Sequence, residues 1–467
     1  VTRAGARTPA TDFGGYVRRA GGDGRLVVQP RMGFDAPDRM RAGLAATKAA
    51  RATTVGTITL DSYTRLGETR ALADALAHGR ELNGYPITTH APAVTSGMLA
   101  GIRDASFPVQ VRHGSAVPRH IFDALIGLGI EASEGGPVSY CLPYGRTPLT
   151  DSVRNWADGV RRYSALRETG AEPHLETFGG CLLGQLCPPS LLVAVSVLEA
   201  LFFHHHGVSD VSVSYAQQTH PGQDREAVAA LRRLCADLMP TPTWHVVIYA
   251  YMGLYPVTEH GSYALLADAA TLAVRSGAER LIVKTVAESR RIPTIGENVA
   301  ALEAAARTAE AAAPAPAERG GPTEPNETYE EAAALVHAVL DLDPDPGAAL
   351  IKAFTRGYLD VPWCLHPDNQ GRTRSYIDGD GRLRWADTGA LPIGRATART
   401  ANRHAVTTRT APARRITSAD LHADLLHVQR RYDSLADRAT ALSRSSASGR
   451  RPGEITGAGG GPRLGNN

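Results

Sequence analysis

Three arginines occupy matching places in the chain. Arg31 follows the short β-branched run 26–30, Arg65 follows the run 57–61, and Arg112 lies inside the run 109–113. A guanidinium presents a planar fork of donors that meets a carboxylate two on two. Three such groups brought together repel one another unless anions lie between them, and a ligand with two carboxylates would supply that charge. Glu134, at the end of the run 130–134, is suited to hold an ammonium group or to act as a base. His113 adjoins Arg112, and Tyr140 and Tyr144 follow Glu134 closely enough to orient the same ligand. These residue types describe a pocket for an amino dicarboxylate, with Glu134 and Arg65 as its chemical centre. The plainer alternative is that each arginine pairs with a neighbouring loop. Three in register, each beside Gly, His or Tyr, favour the site. Gly33, Gly114 and Gly135 would let a ligand or a loop come close to the backbone.

For these residues to meet, the runs before them must be strands ending at one mouth. Such runs recur at 26–30, 57–61, 109–113, 130–134, 174–178, 210–215, 245–251 and 281–285. Ala/Leu/Arg-rich stretches with helical spacing lie between them, including 38–51, 69–78, 118–128, 191–203, 224–238 and 263–276. This alternation predicts an α/β fold, a (β/α)8 TIM barrel whose chemistry gathers at the C-terminal strand ends. The alternative is an open doubly wound sheet, but no G-x-G-x-x-G follows the first run. The barrel is expected over 1–300 and to carry the active site. A linker and C-terminal α+β cap, with helices at 330–340 and 347–356, are expected over 301–395. A basic, low-complexity tail is expected over 396–467.

Composition narrows the class. The chain has 467 residues, 43% of them apolar and 21% charged, with a formal net charge of +3. So even a balance argues against a nucleic-acid binder. The cysteines, Cys141, Cys181, Cys187, Cys235 and Cys364, are odd in number and form no C-x-x-C pair. They suggest neither a disulfide framework nor a zinc site, and a reducing, cytoplasmic setting is expected. Residues 1–16 lack the apolar core of a secretory signal. The longest apolar run, 190–203, falls short of the ~20 residues of a membrane span and contains Glu199. A buried helix is expected there. His204, His205 and His206 would point in different directions on a helix, so a helix end is expected rather than a metal site.

The longest motifs are QPRMG at 29–33, DSYTR at 61–65, LNGYP at 82–86, VQVRHG at 109–114, SEGGPVSYCLPYGR at 133–146, ETFGGCLLGQLCPPS at 176–190, YMGLYP at 251–256 and VKTVAESRRIPT at 283–294. In these blocks, over about residues 24–395, the chain resembles the large (epsilon) subunit of glutamate mutase, or methylaspartate mutase. The resemblance implies a (β/α)8 barrel facing adenosylcobalamin. It implies a reversible interconversion of L-glutamate and (2S,3S)-3-methylaspartate, begun when a deoxyadenosyl radical abstracts a substrate hydrogen. By motif, Arg31, Arg65 and Arg112 correspond to the arginines that grip the substrate carboxylates. His113, Glu134, Tyr140 and Tyr144 correspond to further substrate contacts, with Glu134 near the amino group. Gly33, Asn83, Pro143, Tyr255, Lys284, Glu288 and Ile292 match positions that contact the cobalamin or its adenosyl group; at Tyr255 the family carries Phe. The cobalt-binding fingerprint D-x-H-x-x-G is absent, and the nearest string, 420–425, lacks the glycine. In the family that fingerprint sits on a small flavodoxin-like subunit. The resemblance therefore implies such a partner, and pairing of two large subunits.

Two other functions compete with this one. Lys284 alone would suit a Schiff-base lyase acting on a dicarboxylate, since a buried lysine can have a lowered pKa. A barrel that only binds an amino dicarboxylate would also keep the three arginines.

Overall fold

The computed structural model describes residues 11–143, 145–312, 326–393 and 415–435. Helix α1 (Phe13–Gly22) comes first. Then follow β1 (Val27–Gln29), α2 (Pro37–Ala49), β2 (Gly56–Thr59) and three short helices, α3 (Ser62–Leu66), α4 (Thr69–Ala77) and α5 (Pro92–Leu99). The alternation resumes with β3 (Val109–Arg112), α6 (Arg119–Leu128), β4 (Ala132–Gly135), α7 (Leu149–Ser164), β5 (His174–Thr177) and α8 (Pro189–His205). It ends with β6 (Asp210–Ala216), α9 (Pro221–Leu238), β7 (Trp244–Tyr249), α10 (Glu259–Arg275), β8 (Arg280–Ile282) and α11 (Ile295–Ala311). Beyond lie α12 (Glu327–Leu340), α13 (Pro346–Arg356), a hairpin of β9 (Arg374–Ile377) and β10 (Leu383–Asp387), and α14 (Ser418–Leu425).

Each expected run overlaps one of the first eight strands, and these pair in parallel in chain order, with β1 returning to β8. A bridge from Val28 to Thr54 brings β1 back to the entry of β2. At that seam the Val28 N–H donates to the Thr53 carbonyl at 2.9 Å, and the Thr59 N–H to the Met32 carbonyl at 2.8 Å. The chain is a (β/α)8 barrel.

The outer elements follow from what the barrel helices leave uncovered. α8 is buried on nearly every side, so both of its faces need cover. The barrel covers one; α12 and α13 cover the other, and also lie against α9 and α7. α8 ends at His205, as the histidine triplet suggested, and His206 caps it with its ring edge-on to Phe202. α11, the helix after β8, runs to Ala311 and straddles residue 300. Residues 418–425 and 427–435, within the expected tail, are helical and packed on the barrel. All five cysteines are free and buried. Among the described residues, no helix is long and apolar enough to cross a membrane.

Helix α1 was not among the expected elements, and it covers one end of the barrel, its floor. Its Phe13 and Val17 bury against Val27, Val55 and Ala132. Arg18 pairs with Asp210 at 2.8 Å, and Asp210 meets Nδ1 of His174 at 2.8 Å. Above the floor the barrel is filled by polar side chains. Arg280 pairs with Glu176, both fully buried, and Gln29, Gln110 and Ser212 complete the cluster. A buried ion pair is helped to survive desolvation by hydrogen bonds to its other donors and acceptors, and these amides and hydroxyls meet Arg280 Nη1 and Nη2 and Glu176 Oε2.

Candidate active site

Arg112 is the last residue of β3 and only 4% exposed. Its Nε donates to Glu134 Oε2 at 2.6 Å, its Nη2 donates to the Tyr249 hydroxyl at 3.2 Å, and its guanidinium lies 5.2 Å above the Tyr249 ring. Glu134 therefore already balances Arg112. Of the three arginines, Arg112 forms a neutral pair with Glu134, and Arg31 lies 4.0 Å from Glu288. The other Glu134 oxygen accepts from the Tyr140 hydroxyl.

Tyr249 links two carboxylates. Its hydroxyl lies 2.8 Å from Glu134 Oε2 and also contacts Glu176 Oε1. A hydroxyl has one hydrogen, so Tyr249 donates to one carboxylate at a time while accepting from Arg112. Burial alone would raise the Glu176 carboxyl; beside Arg280 and Arg112 it lies below its usual value. The buried set is charge-balanced, Arg112 and Arg280 against Glu134 and Glu176.

The loop after β4 is fixed from behind. Gly135 has φ +137°, and a Cβ there would collide with Trp156 and Tyr140. Gly136 is packed against Glu199 in the same way. Glu199, on α8, accepts from the Val138 N–H at 3.2 Å and the Ser139 N–H at 2.9 Å, fixing the turn that carries Tyr140. Burial pushes the Glu199 carboxyl up to about 7. His113 stacks on Trp156 with centroids 5.7 Å apart and meets Tyr140 edge-on at 5.2 Å. Burial pushes it down to about 3, so it is neutral. Its Nδ1 accepts from the Ser115 N–H at 3.0 Å, which assigns the ring hydrogen to Nε2, a buried atom with no hydrogen-bond partner among the described residues. Pro143 is half-buried on the same loop, and Tyr144 lies outside the described residues.

Arg65 rides on α3. The Asp61 carboxylate caps that helix by accepting from the Thr64 N–H at 2.9 Å, and Asn83 Oδ1 accepts from the Ser62 N–H at 2.9 Å. Asn83 thus reaches the helix that carries Arg65. The arginine stem crosses Gly114, φ +79°, where a Cβ would come within 2.9 Å of Arg65 Cδ. A Cβ at Gly33 would collide with the Thr59 carbonyl. At all three glycines it is the protein's own groups that come close.

After β8, which adjoins β1, Lys284 pairs with Glu288 at 3.3 Å, and its ammonium lies 5.3 Å from the centre of the buried Tyr255 ring. Burial lowers the Lys284 pKa, and Glu288 opposes that shift. Glu288 is 4.0 Å from Arg31, whose Nη1 lies 3.8 Å from Met252 Sδ. Ile292, beyond Glu288, is exposed.

Tyr249, Glu176 and Glu199 were not among the expected site residues. Glu176 had a readable signal: it is an acidic residue inside a buried strand, opposite Glu134 in the sheet register. Tyr249 lies in an apolar run, and nothing local marks its hydroxyl.

The chain matches the family model described as methylaspartate mutase E chain over residues 9–429. It is 28% identical over 392 residues to a glutamate mutase epsilon subunit of Escherichia coli O157:H7, covering 80% of each chain. It is 31% identical over 335 residues to the protein so named in Haloarcula marismortui, covering 70% of this chain and 68% of that one. With the epsilon subunit of Halobacterium salinarum the identity is 30% over 350 residues, covering 73% of each.

Proposed function

The chain belongs to the methylaspartate mutase E chain family, and we propose that it is the catalytic large subunit of an adenosylcobalamin-dependent mutase interconverting L-glutamate and (2S,3S)-3-methylaspartate. The observation that carries this reading is the buried Arg112–Glu134 pair at the ends of β3 and β4, flanked by Tyr140 and Tyr249; these strands follow those leading to Arg31 and Arg65. In this reading Arg31, Arg65 and Arg112 grip the two carboxylates. Glu134, oriented by Tyr140, takes the ammonium, with His113 and Tyr144 completing the contacts. Arg112 turns the free donors of its fork to a substrate carboxylate while Nε stays on Glu134. The clamp limits motion of a reactive substrate, and the barrel excludes water from it.

Residues around the mouth fit a large macrocycle with amide arms. Exposed Leu66, Val117, Leu254 and Ile292 lie in the segments after β2, β3, β7 and β8, and the charged pair Lys284–Glu288 also follows β8. Gly33, Asn83, Pro143, Tyr255, Lys284, Glu288 and Ile292 would hold the cofactor. When bound, that group supplies the carbon radical that takes a hydrogen from the substrate. Among the described residues, no cluster of His, Cys, Asp and Glu could hold a metal ion, and the sequence has no D-x-H-x-x-G. The cobalt ligand therefore comes from a separate small cobalamin-binding subunit, in keeping with relatives named as subunits. Two large subunits pair in the assembly, and the enzyme works in the cytoplasm.

One observation favours a second reading. Lys284 is buried with a lowered pKa, as a Schiff-base lysine of a dicarboxylate lyase would be, although its pairing with Glu288 opposes this. The deciding experiment mixes the chain with its small partner and adenosylcobalamin and offers glutamate and 3-methylaspartate. Interconversion is expected only with all components present. Borohydride trapping of a keto acid on Lys284 without cofactor would establish the lyase instead. Full activity of this chain with cofactor alone would overturn the need for a partner.

A further inference from the structure

α14 and the helix 427–435 cross the loops after β5, β6 and β7. Leu421 and Leu425 pack against the cluster of Leu186 from the first loop with Ile377 and Leu383 of the hairpin. Arg431 donates to the Thr219 carbonyl of the second at 3.1 Å. The third receives the most. Gln429 Nε2 donates to the Tyr255 carbonyl at 3.0 Å. The Asp433 carboxylate accepts from the Val257 N–H at 3.2 Å, the Thr258 N–H at 3.0 Å and the Thr258 hydroxyl at 2.6 Å. The Tyr432 hydroxyl donates to Asp268 of α10 at 2.5 Å, and its ring is buried with Val428, Tyr251, Tyr255 and Leu265.

This third loop forms neither helix nor strand between Tyr249 and Glu259, and it exposes Leu254 at 44% and Val257 at 47%. Tyr255 between them is nonetheless 3% exposed and lies on the Lys284 ammonium. Much of that order comes from outside the loop. Thr258 is the N-cap of α10, accepting from the Gly261 N–H at 3.1 Å, while its own hydroxyl donates to Asp433. An added carboxylate is favourable at a helix N-terminus. The fit is close: a Cβ on Gly261 would lie 2.9 Å from Asp433 Oδ1 and 3.0 Å from the Tyr432 carbonyl carbon.

We propose that the helix 427–435 is a positioning strap: through Asp433 and Gln429 it holds the β7–α10 loop so that Tyr255 stays on Lys284 at the cofactor rim. The inference rests on reading Tyr255 and Lys284 as cofactor contacts. Asp433 acts through the loop and is a positioning residue.

The test uses the full chain carrying Asp433→Ala, the milder Asp433→Asn, or Gln429→Ala. The first arm is hydrogen exchange over 253–262 in the free large subunit, with no cofactor present. Loss of charge-assisted bonds should speed exchange at Val257 and Thr258 by about tenfold or more. The second arm adds the small partner and follows adenosylcobalamin binding by its absorbance. The apparent Kd should rise about tenfold, with less than about a twofold change in KM for glutamate. Unchanged exchange in both Asp433 variants overturns the strap. Faster exchange with unchanged cofactor Kd overturns its link to the cofactor rim. If the wild-type pair binds no cobalamin, the mutase reading fails, and the exchange arm alone still decides whether the strap holds its loop.

Discussion

On one side of the mouth the ends of β1 to β4 lead to Arg31, Arg65, Arg112 and Glu134; on the other, β5 to β8 bring Glu176, Tyr249, Lys284 and Glu288. The two sides are held differently. Around Arg65 the first relies on nearby groups, since Asp61 caps its helix and Asn83 steadies its first turn, while the loop of Tyr140 is held by Glu199 and by His366 and Asp368. The second relies on the C-terminal part of the chain. Ser375 donates to the Leu186 carbonyl at 2.5 Å, Leu383 pairs with Gln223, and Asp433 and Gln429 bind the loop of Tyr255. The loop after β2 is encoded close in sequence, whereas the loops after β4 to β7 are set by residues far away in sequence.

The sharpest way to break this comparison is to unbalance its centre. Arg112→Met should lose roughly 3–5 kcal/mol, because it leaves Glu134 buried without its countercharge. Urea denaturation measures this. The double variant with Glu134→Gln should regain most of the stability and none of the turnover. A single variant as stable as the parent would mean that the two sides are not joined through a charge-balanced core.

Tyr249→Phe tests the joint itself. The donor shared between two buried carboxylates is lost and Arg112 loses an acceptor, so a loss of about 1–3 kcal/mol is expected. Turnover should fall more than KM rises, because the phenol orients groups that already face each other. Equal effects on both would place Tyr249 in simple binding.

Glu199→Gln probes the bolt behind Tyr140. The folded pKa of Glu199, near 7, lies above the unfolded value of about 4.3, so the folded chain binds that proton more tightly. This contribution is fully present below about pH 4 and is lost as pH rises toward 7. Glutamine carries no titrating proton, so the variant should lose part of that slope in denaturation curves. Asp224, which burial also pushes up to about 7, should keep the remainder. An unchanged slope would show that Glu199 does not titrate there.

The smallest stability effect belongs to the exposed rim. Leu254→Ser should change stability by less than about 0.5 kcal/mol yet weaken association with the small partner in a titration. No change in association would remove that rim from the docking surface.

The fold was legible because eight β-branched runs alternate with helical stretches, a period that packing then enforces. The charged residues near β1 to β4 were legible because they stand next to their strands. Glu199 was read only as an interruption of an apolar run, although it holds residues about sixty positions before it. Tyr249 matters through a hydroxyl that meets partners 73 and 115 residues away. Asp433 falls inside a basic stretch whose composition resembles a solvated tail. In each case the informative contact is long-range, and composition and spacing report only short-range preferences.

The place of Asp433 also sets an order of events during synthesis. Thr258 leaves the ribosome 175 residues ahead of the carboxylate that it binds. At 5–20 residues per second, that is roughly 9 to 35 seconds. The barrel wall can close in that interval, while the loop of Tyr255 waits for its last restraint. Translation that stops short of Asp433 would release a chain with a folded wall and an unfinished rim, able to meet a partner before it can hold what the partner carries.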